Sequence, residues 1–580
     1  MDASRCAGII LGLYHQFRDG FAYITRRSAE RFARRQWHEF HADAVERLDL
    51  YRTVVDAGVV GLSRALGPSA ADRALYPRVK ASFERLVENE PDRELAETFF
   101  NSVTRRLFTP SGVDAAIQFV EGPPDLATGQ ETLSMMRVYC VTQGIVDVVR
   151  RVLQDSPLAT DFTDLERDVA AVAARIEGEA GEIEAVEVLG PLFYRNKGCY
   201  IVGRLRGRGG VRPLVLPLLP DGHGVRVDAV LTESSEVSIV FSFTRSYFFC
   251  DAPHPGPIVD FLQTVMPRKP RNELYISLGF NKHGKTLLYR DLIWHLERSS
   301  DVFVEAPGQR GMVMLVLTLP SYPVVLKVIR DVFDAPKTTT REQVKRQYRL
   351  VFTHDRAGRL VDAQEFLGLV LPTHRFSPEL LERLRRDASY SVTVGDDEVV
   401  FHHVYTERRL TPLDVYLQQV TEDAAREAVV EYGCAIKDLV WANIFPGDLL
   451  LKNFGVTPHG RVVFYDYDEL CLITECCFRA LPPPATLQDE LWGEPWYSVA
   501  ENDVFPEELR WFLGLSGSLR EAYEDRHADL FEVEYWLDIQ RRIRDGFVAD
   551  IFPYRPERRL GFEKASGSGY GGGKRFAEHA

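Results

Sequence analysis

Phe445-Pro-Gly-Asp-Leu-Leu-Leu-Lys-Asn453 is the stretch on which the reading of this chain turns. It sets Asp448 five residues before Asn453. At this spacing, catalytic loops for phosphoryl transfer place an aspartate that accepts a hydroxyl proton and an asparagine that holds a metal ion. Lys452 lies inside the same loop, where an ammonium can neutralise a phosphoryl group in transit. Just downstream, Arg461-Val-Val-Phe-Tyr-Asp-Tyr-Asp468 reads as a strand ending in two carboxylates. Aspartate is depleted in strands and costly to bury unpaired, so strand periodicity alone does not account for paired acids at a strand end. Asp466 stands where kinases carry a magnesium-binding aspartate, and Asp468 adds a second carboxylate.

Working upstream, Ala306-Pro-Gly-Gln-Arg-Gly-Met312 sets Gly308 and Gly311 three residues apart, just before an apolar strand. Glycines let backbone N–H groups approach phosphate oxygens with no Cβ in the way. Taken alone, the segment reads more simply as a hairpin turn. Sixteen residues after Gly311, Lys327 interrupts the apolar run Val325-Leu-Lys-Val-Ile329. A lysine there is either a phosphate ligand or a residue on the wet face of an edge strand, and by itself it favours neither. The order and spacing of loop, lysine, Asp448, Asn453 and Asp466 together point to a nucleotide site. Departures from eukaryotic-type kinases are clear: Pro446-Gly447 replaces His-Arg before the catalytic aspartate, and Tyr467 replaces Phe with no glycine after it. No sequence feature identifies the helix glutamate expected to pair with Lys327.

The 580 residues exceed what one core can hold, and the length suggests roughly two to four domains. A net charge of -14 argues against a nucleic-acid binder, and the eight scattered cysteines form no CxxC pair of a zinc site or disulfide framework. Free thiols, no signal peptide at Ala7 to Tyr14 and no apolar run long enough for a membrane span predict a cytoplasmic protein. Helical spacing predicts helices from Ala44 to Leu66, Glu94 to Leu107, Thr132 to Leu153, Lys285 to Ser299, Thr340 to Thr353 and Pro412 to Val420, the last with Thr411 as N-cap and Pro412 at N1. From about Glu184 the texture turns to short β-rich runs, among them Cys199 to Leu205 and Val237 to Phe243. Met312 to Leu319 and Val324 to Ile329 read as strands. Phe99, Phe100, Trp536 and Phe547 read as core, His402-His403 as adjacent residues on opposite faces and not a metal site, and Arg408-Arg409 as a surface pair.

Longer motifs narrow the reading. The Ala306 loop through Leu315, Asn443-Ile-Phe-Pro-Gly-Asp448, Lys452-Asn-Phe-Gly-Val456, Val463-Phe-Tyr-Asp-Tyr-Asp-Glu469, Glu494-Pro-Trp-Tyr-Ser-Val499 and Asp503-Val-Phe-Pro-Glu-Glu508 resemble the isocitrate dehydrogenase kinase/phosphatase family. So do Ala96-Glu-Thr-Phe-Phe-Asn-Ser102, Phe193 to Arg204 and Phe243-Thr-Arg-Ser-Tyr-Phe248. The resemblance covers nearly the whole chain and implies an α+β fold. Residues 1–300 would form a mostly helical regulatory domain with a mixed α/β part from about 184, residues 301–563 a bilobal protein-kinase-like domain, and residues 564–580, rich in Gly and Ser, a disordered tail. It further implies phosphorylation and dephosphorylation of a serine of isocitrate dehydrogenase, which governs entry to the glyoxylate bypass, with ATP, Mg²⁺ or Mn²⁺, and AMP as effector. A homodimer is left open. By the same resemblance, Ala306, Pro307, Gly308, Gln309, Arg310, Gly311, Met312 and Lys327 match the ATP-binding positions, and Asp362 matches the aspartate of the phosphatase activity. The residues around Asp362 by themselves read as a helix surface. Two other readings stand beside this one: a haloacid-dehalogenase-type phosphatase with Asp466 as nucleophile, and a non-catalytic ATP-binding scaffold.

Overall fold

The computed structural model describes residues 2–120, 135–242, 246–308, 310–334, 337, 339–482, 497–500 and 502–561. Gln309, the tail from Lys564, and parts of the 243–248 and 494–499 motifs lie outside the described residues.

The chain opens with a pair of long helices, α1 (Asp2–Ala33) and α2 (Trp37–Leu66). Ile10, Tyr14, Phe17, Phe21 and Ile24 recur every three or four residues along α1 and are buried as one stripe. The helices pack closely at Gly58, where a Cβ would come within 2.6 Å of a Leu13 methyl. Helix α3 (Arg93–Phe108) seals the group, with Phe99 ringed by Phe17 and Tyr51 at centroid distances of 6.1 and 5.5 Å.

Among the described residues, strands begin at Met136, well before the change of texture at Glu184. The expected helix from Thr132 to Leu153 begins outside the described residues, and its described part is instead β1 (Met136–Cys140) and a helix over Ile145–Gln154. Gly144 at φ +100 breaks the two, and β1 pairs antiparallel with β2 (Ile183–Leu189). A seven-stranded sheet follows, in the order β1-β2-β4-β3-β7, with β5 and β6 added beside β4; here β3 is Phe193–Arg195, β4 Gly198–Gly207, β5 Gly210–Asp221, β6 Gly224–Val227 and β7 Phe249–Cys250. The run from Val237, expected to be β-rich, is a helix over Ser234–Val240. Its apolar residues Val237, Val240 and Phe241 are buried at helical spacing, and that burial outweighs the strand preference of valine and isoleucine.

After the helix Asn281–Arg298 the chain builds a five-stranded antiparallel sheet, order β11-β15-β10-β9-β8. Its strands are β8 (Val304–Glu305), β9 (Met314–Thr318), β10 (Val324–Ile329), β11 (Ala363–Phe366) and β15 (Val404–Arg408). All six residues of β10 are buried, as expected of a central strand covered on both faces. Helix α4 (Arg341–His354) lies against this sheet, begun by Thr340 in a full capping box. Its Tyr348 ring stacks on Tyr405 of β15 at 3.7 Å and 9°. The last part is helical, centred on α5 (Glu422–Trp441), with a three-stranded sheet β16-β17-β18 of Thr411–Pro412, Phe454–Val456 and Val462–Phe464. Trp536 is fully buried at its centre, against Phe445 at 5.8 Å and Phe478 at 5.0 Å.

Further expectations are corrected here. Thr411 is not a helix cap: it pairs with Val456 in β16, and Pro412 is the residue preceding the helix Leu413–Gln419. Phe547 is 38% exposed and rests edge-on against Trp441 instead of joining a core. Arg408 bonds Glu273 of the preceding half at 3.1 Å, and Arg409 donates to Leu319 O at 2.7 Å, so this pair joins elements and is not a free surface pair. His402 and His403 lie in the bend between β14 (Glu398–Phe401) and β15, where His403 is buried against Glu365 at 2.8 Å and His402 reaches Thr393. The two halves also meet through backbone bonds such as Gly112 N to Gly368 O at 2.7 Å.

Candidate active site

The site is organised around the backbone of one residue, Tyr465. Strands β17 and β18 form a short hairpin with Phe454 opposite Phe464. Just beyond the pairing, Tyr465 N donates to Asn453 O at 3.1 Å. Asn453 in turn donates through Nδ2 to Asp448 O at 3.3 Å, which ties the two ends of the loop together. Lys327 Nζ donates to Tyr465 O at 2.7 Å. Four residues spread over 140 positions of sequence thereby meet at one place: Lys327, Asp448, Asn453 and Asp466.

The loop before Asp448 is held by both packing and backbone. Phe445 and Cys471 form a small antiparallel bridge, with N···O distances of 2.8 and 3.0 Å, and the Tyr432 hydroxyl of α5 donates to Leu449 O. Gly447 has φ +81, and a Cβ there would sit 2.5 Å from Glu469 O. This explains the glycine of Pro446-Gly447: the loop passes too close to the acidic segment for any side chain at 447. Asp448 Oδ1 accepts from Leu450 N at 3.0 Å. Lys452 gives its carbonyl to the Tyr465 hydroxyl, and its side chain makes no hydrogen bond or ion pair recorded among the described residues.

The partner of Lys327 is Glu407, at 2.7 Å, with both side chains buried at 7% and 1% exposure. The expected helix glutamate is therefore replaced by a strand glutamate, directly across from β10 on β15. The helix still contributes, because Tyr348 of α4 donates its hydroxyl to Glu407 at 3.3 Å. Glu407 carried the same signal as Lys327: a charge interrupting the strand Val404-Tyr-Thr-Glu-Arg408. Glu407→Leu is expected to leave an ammonium buried without its carboxylate and to cost about 3–5 kcal/mol in urea unfolding. Adding Lys327→Met to that variant should restore most of the stability but no activity. If the double variant is no more stable than Glu407→Leu, the pair is not the source of the loss.

Asp466 and Asp468 face each other. Burial first, and the charge of Asp468 second, push the Asp466 carboxyl up to about 7. Lys337, missed in the sequence, sits 3.4 Å from Asp468 and 2.5 Å from Glu469, and its own pKa is raised by these acids against the opposing effect of burial. The two carboxylates supply hard oxygen donors, and the Lys327 and Lys337 ammonium groups already act on them.

Asp362 is not on a helix. It lies in the extended segment leading into β11, where Leu360 bridges Phe464 in parallel and Val361 N donates to Phe464 O at 3.1 Å. Two residues further along each chain stand Asp362 and Asp466, so the pairing brings the two carboxylates to the same end of β18. Asp362 accepts from Gln364 Nε2 at 2.6 Å, and its charge acts on Glu407 and Tyr467. Arg359, bonded to Asp438 at 2.7 Å, anchors this segment to α5.

The glycine loop is the hairpin tip between β8 and β9, with Ala306 N bonded to Val316 O at 2.9 Å. Gly311 is required by a close approach: a Cβ would meet Met314 O at 2.6 Å. Pro307, Gly308 and Arg310 are exposed, and Met312 accepts from Arg330 at 3.1 Å. The loop is connected to Lys327 through the sheet, with Val316 opposite Lys327.

Residues 301–556 match the family model described as isocitrate dehydrogenase kinase/phosphatase (AceK) kinase domain, and residues 7–300 match that of the regulatory domain of the same family. A protein named isocitrate dehydrogenase kinase/phosphatase from Anaeromyxobacter sp. (strain Fw109-5) is 48% identical over 566 residues, covering 96% of this chain and 98% of the relative. Proteins of the same name from Anaeromyxobacter dehalogenans (strain 2CP-C) and Xanthomonas euvesicatoria pv. vesicatoria (strain 85-10) are 46% and 43% identical, over 94% and 96% of this chain and 96% and 98% of their own lengths. With both halves matched in order and relatives of this similarity along nearly its whole length, the chain belongs to the isocitrate dehydrogenase kinase/phosphatase family.

Proposed function

We propose that this protein phosphorylates a serine of isocitrate dehydrogenase with ATP and removes the same phosphate, and so controls the branch between the tricarboxylic acid cycle and the glyoxylate bypass. The observation that carries this reading is the meeting of Lys327, Asp448, Asn453 and Asp466 around the Tyr465 peptide. AMP as effector and residence in the cytoplasm belong to the same proposal. Consistent with the latter, no helix among the described residues is long and apolar enough to cross a membrane.

Each residue has a task the geometry supports. The Lys327 ammonium has three hydrogens. Glu407 and Tyr465 O take two, which leaves one for a phosphate oxygen. The loop that carries the exposed Pro307, Gly308 and Arg310 covers the nucleotide. Asp448, held by Leu450 N at one oxygen, accepts the serine proton at the other. Lys452, half-buried in the loop, offsets charge on the group in transit. Asn453, Asp466 and Asp468 would hold Mg²⁺, which when bound supplies positive charge to the phosphate oxygens. Asp362 orients a water for the reverse reaction.

The direct experiment mixes the purified chain with isocitrate dehydrogenase, labelled ATP and Mg²⁺. Label is expected on the target serine and is expected to leave it when AMP or ADP is added. No label on the target overturns the proposal, as does an aspartyl-phosphate trapped on Asp466. For the division of labour, Asp362→Ala is expected to lower dephosphorylation about 10²-fold while phosphorylation changes less than about threefold. Equal loss of both activities overturns the assignment of Asp362.

A further inference from the structure

Immediately after the acidic pair, two thiols touch. Cys471 Sγ and Cys476 Sγ are 3.7 Å apart, the first half-buried and the second buried. The turn between them is fastened to the catalytic side of the molecule. Cys471 is the bridge partner of Phe445, three residues before Asp448, and Thr474 N donates to Asn443 Oδ1 at 3.2 Å. Gln540 Nε2 holds the other side of the turn through Ile473 O and Cys476 O, both at 2.7 Å. Asn443 itself is at φ +63, a backbone conformation this fastening maintains. The phosphoryl-transfer chemistry above makes no use of either sulfur.

We propose that Cys471 and Cys476 are an oxidative modification site, closing to a reversible disulfide that displaces the catalytic loop and slows phosphoryl transfer. Closure brings the sulfurs from 3.7 Å to a bond of about 2.05 Å. Cys471, at the bridge with Phe445, must shift toward Cys476, and the ladder that positions Asp448 shifts with it. With hydrogen peroxide as oxidant the steps balance. Cys471 thiolate attacks one peroxide oxygen, the O–O bond breaks, and the departing hydroxide leaves as water with one proton. The resulting Cys471 sulfenic acid is attacked by the Cys476 sulfur; an S–S bond forms, the S–O bond breaks, and the hydroxide leaves as water with the Cys476 proton. Two thiols lose two electrons, and one peroxide becomes two waters. The hydrogen bond from Cys476 favours the thiolate on Cys471, while that pairing and burial keep the proton on Cys476, which sets the order of attack.

The activity part rests on Asp448 being the proton acceptor, whereas the linkage itself does not. The full chain is treated with hydrogen peroxide, free thiols are alkylated, and trypsin releases Val462–Arg479, which holds Cys471, Cys476 and Cys477. The expected peptide carries one alkyl group, on Cys477, and has lost two hydrogens. Phosphorylation of isocitrate dehydrogenase should fall about tenfold and return with dithiothreitol. Cys471→Ser and Cys476→Ser are expected to keep their activity under peroxide, and Cys477→Ser to lose it as the natural chain does. Three alkyl groups on the peptide, a bond involving Cys477, or a closed Cys471–Cys476 bond with unchanged turnover each overturns the proposal. A protein inactive even when reduced refutes the functional reading instead, and the peptide result still decides the linkage.

Discussion

Asp448→Asn is expected to lower phosphorylation of isocitrate dehydrogenase about 10³-fold with little change in nucleotide binding. The amide keeps the size of the carboxylate and the bond from Leu450 N at 3.0 Å, and Asn453 still reaches the 448 carbonyl, because that contact is to backbone. What is lost is the oxygen that takes the serine proton. The measurement is single-turnover phosphorylation with labelled ATP, alongside nucleotide titration. Loss of both binding and turnover would place Asp448 among the nucleotide ligands, and unchanged turnover would remove it from the mechanism.

The second large effect is at Asp466. Asp466→Asn is expected to reduce phosphorylation and dephosphorylation alike by about 10³-fold, because one set of ligands serves transfer in both directions. It should also change the pH dependence of stability. The Asp466 carboxyl is raised from 3.8 to about 7 in the folded chain by burial and by Asp468. Between those values the folded chain keeps a proton the unfolded chain has released. Its contribution to stability is therefore complete below the unfolded value and is lost as pH rises through about 7. The metal-free natural protein should lose melting temperature from pH 5 to pH 8, and Asp466→Asn should lose less. Asp355, also raised to about 7 by burial, acts in the same direction in both proteins and drops out of the difference. Mg²⁺ needs the carboxylate, so it should raise the melting temperature of the natural protein more at pH 8 than at pH 5, and hardly that of the variant. Parallel pH profiles for the two proteins would mean Asp466 titrates normally.

Contiguous signals were legible in the sequence, and pairings across the chain were not. Val324 to Ile329 could be read as a buried strand because its apolar run is unbroken except at Lys327. Asp448 and Asn453 could be paired because both lie on one short loop. Asp362 could not be placed, since Leu360, Val361, Ala363 and Phe366 suit a helix as well as a strand, and only the pairing with Phe464, about a hundred residues away, decides between them. Glu407 is marked in the sequence only by its charge within Val404 to Arg408, whereas the kinase pattern places the partner of a strand lysine on a helix. Met136 to Cys140 was absorbed into a helix because five residues of alternation are short beside the helical run that follows Gly144.

Lys327 also works as a rivet. By gripping Glu407 on the five-stranded sheet and the Tyr465 carbonyl beyond β18 at once, it ties the two sheets to each other. Because the ammonium keeps a third hydrogen, a phosphate can be gripped without breaking either hold, and the strand leading to the acidic pair stays fastened while it is.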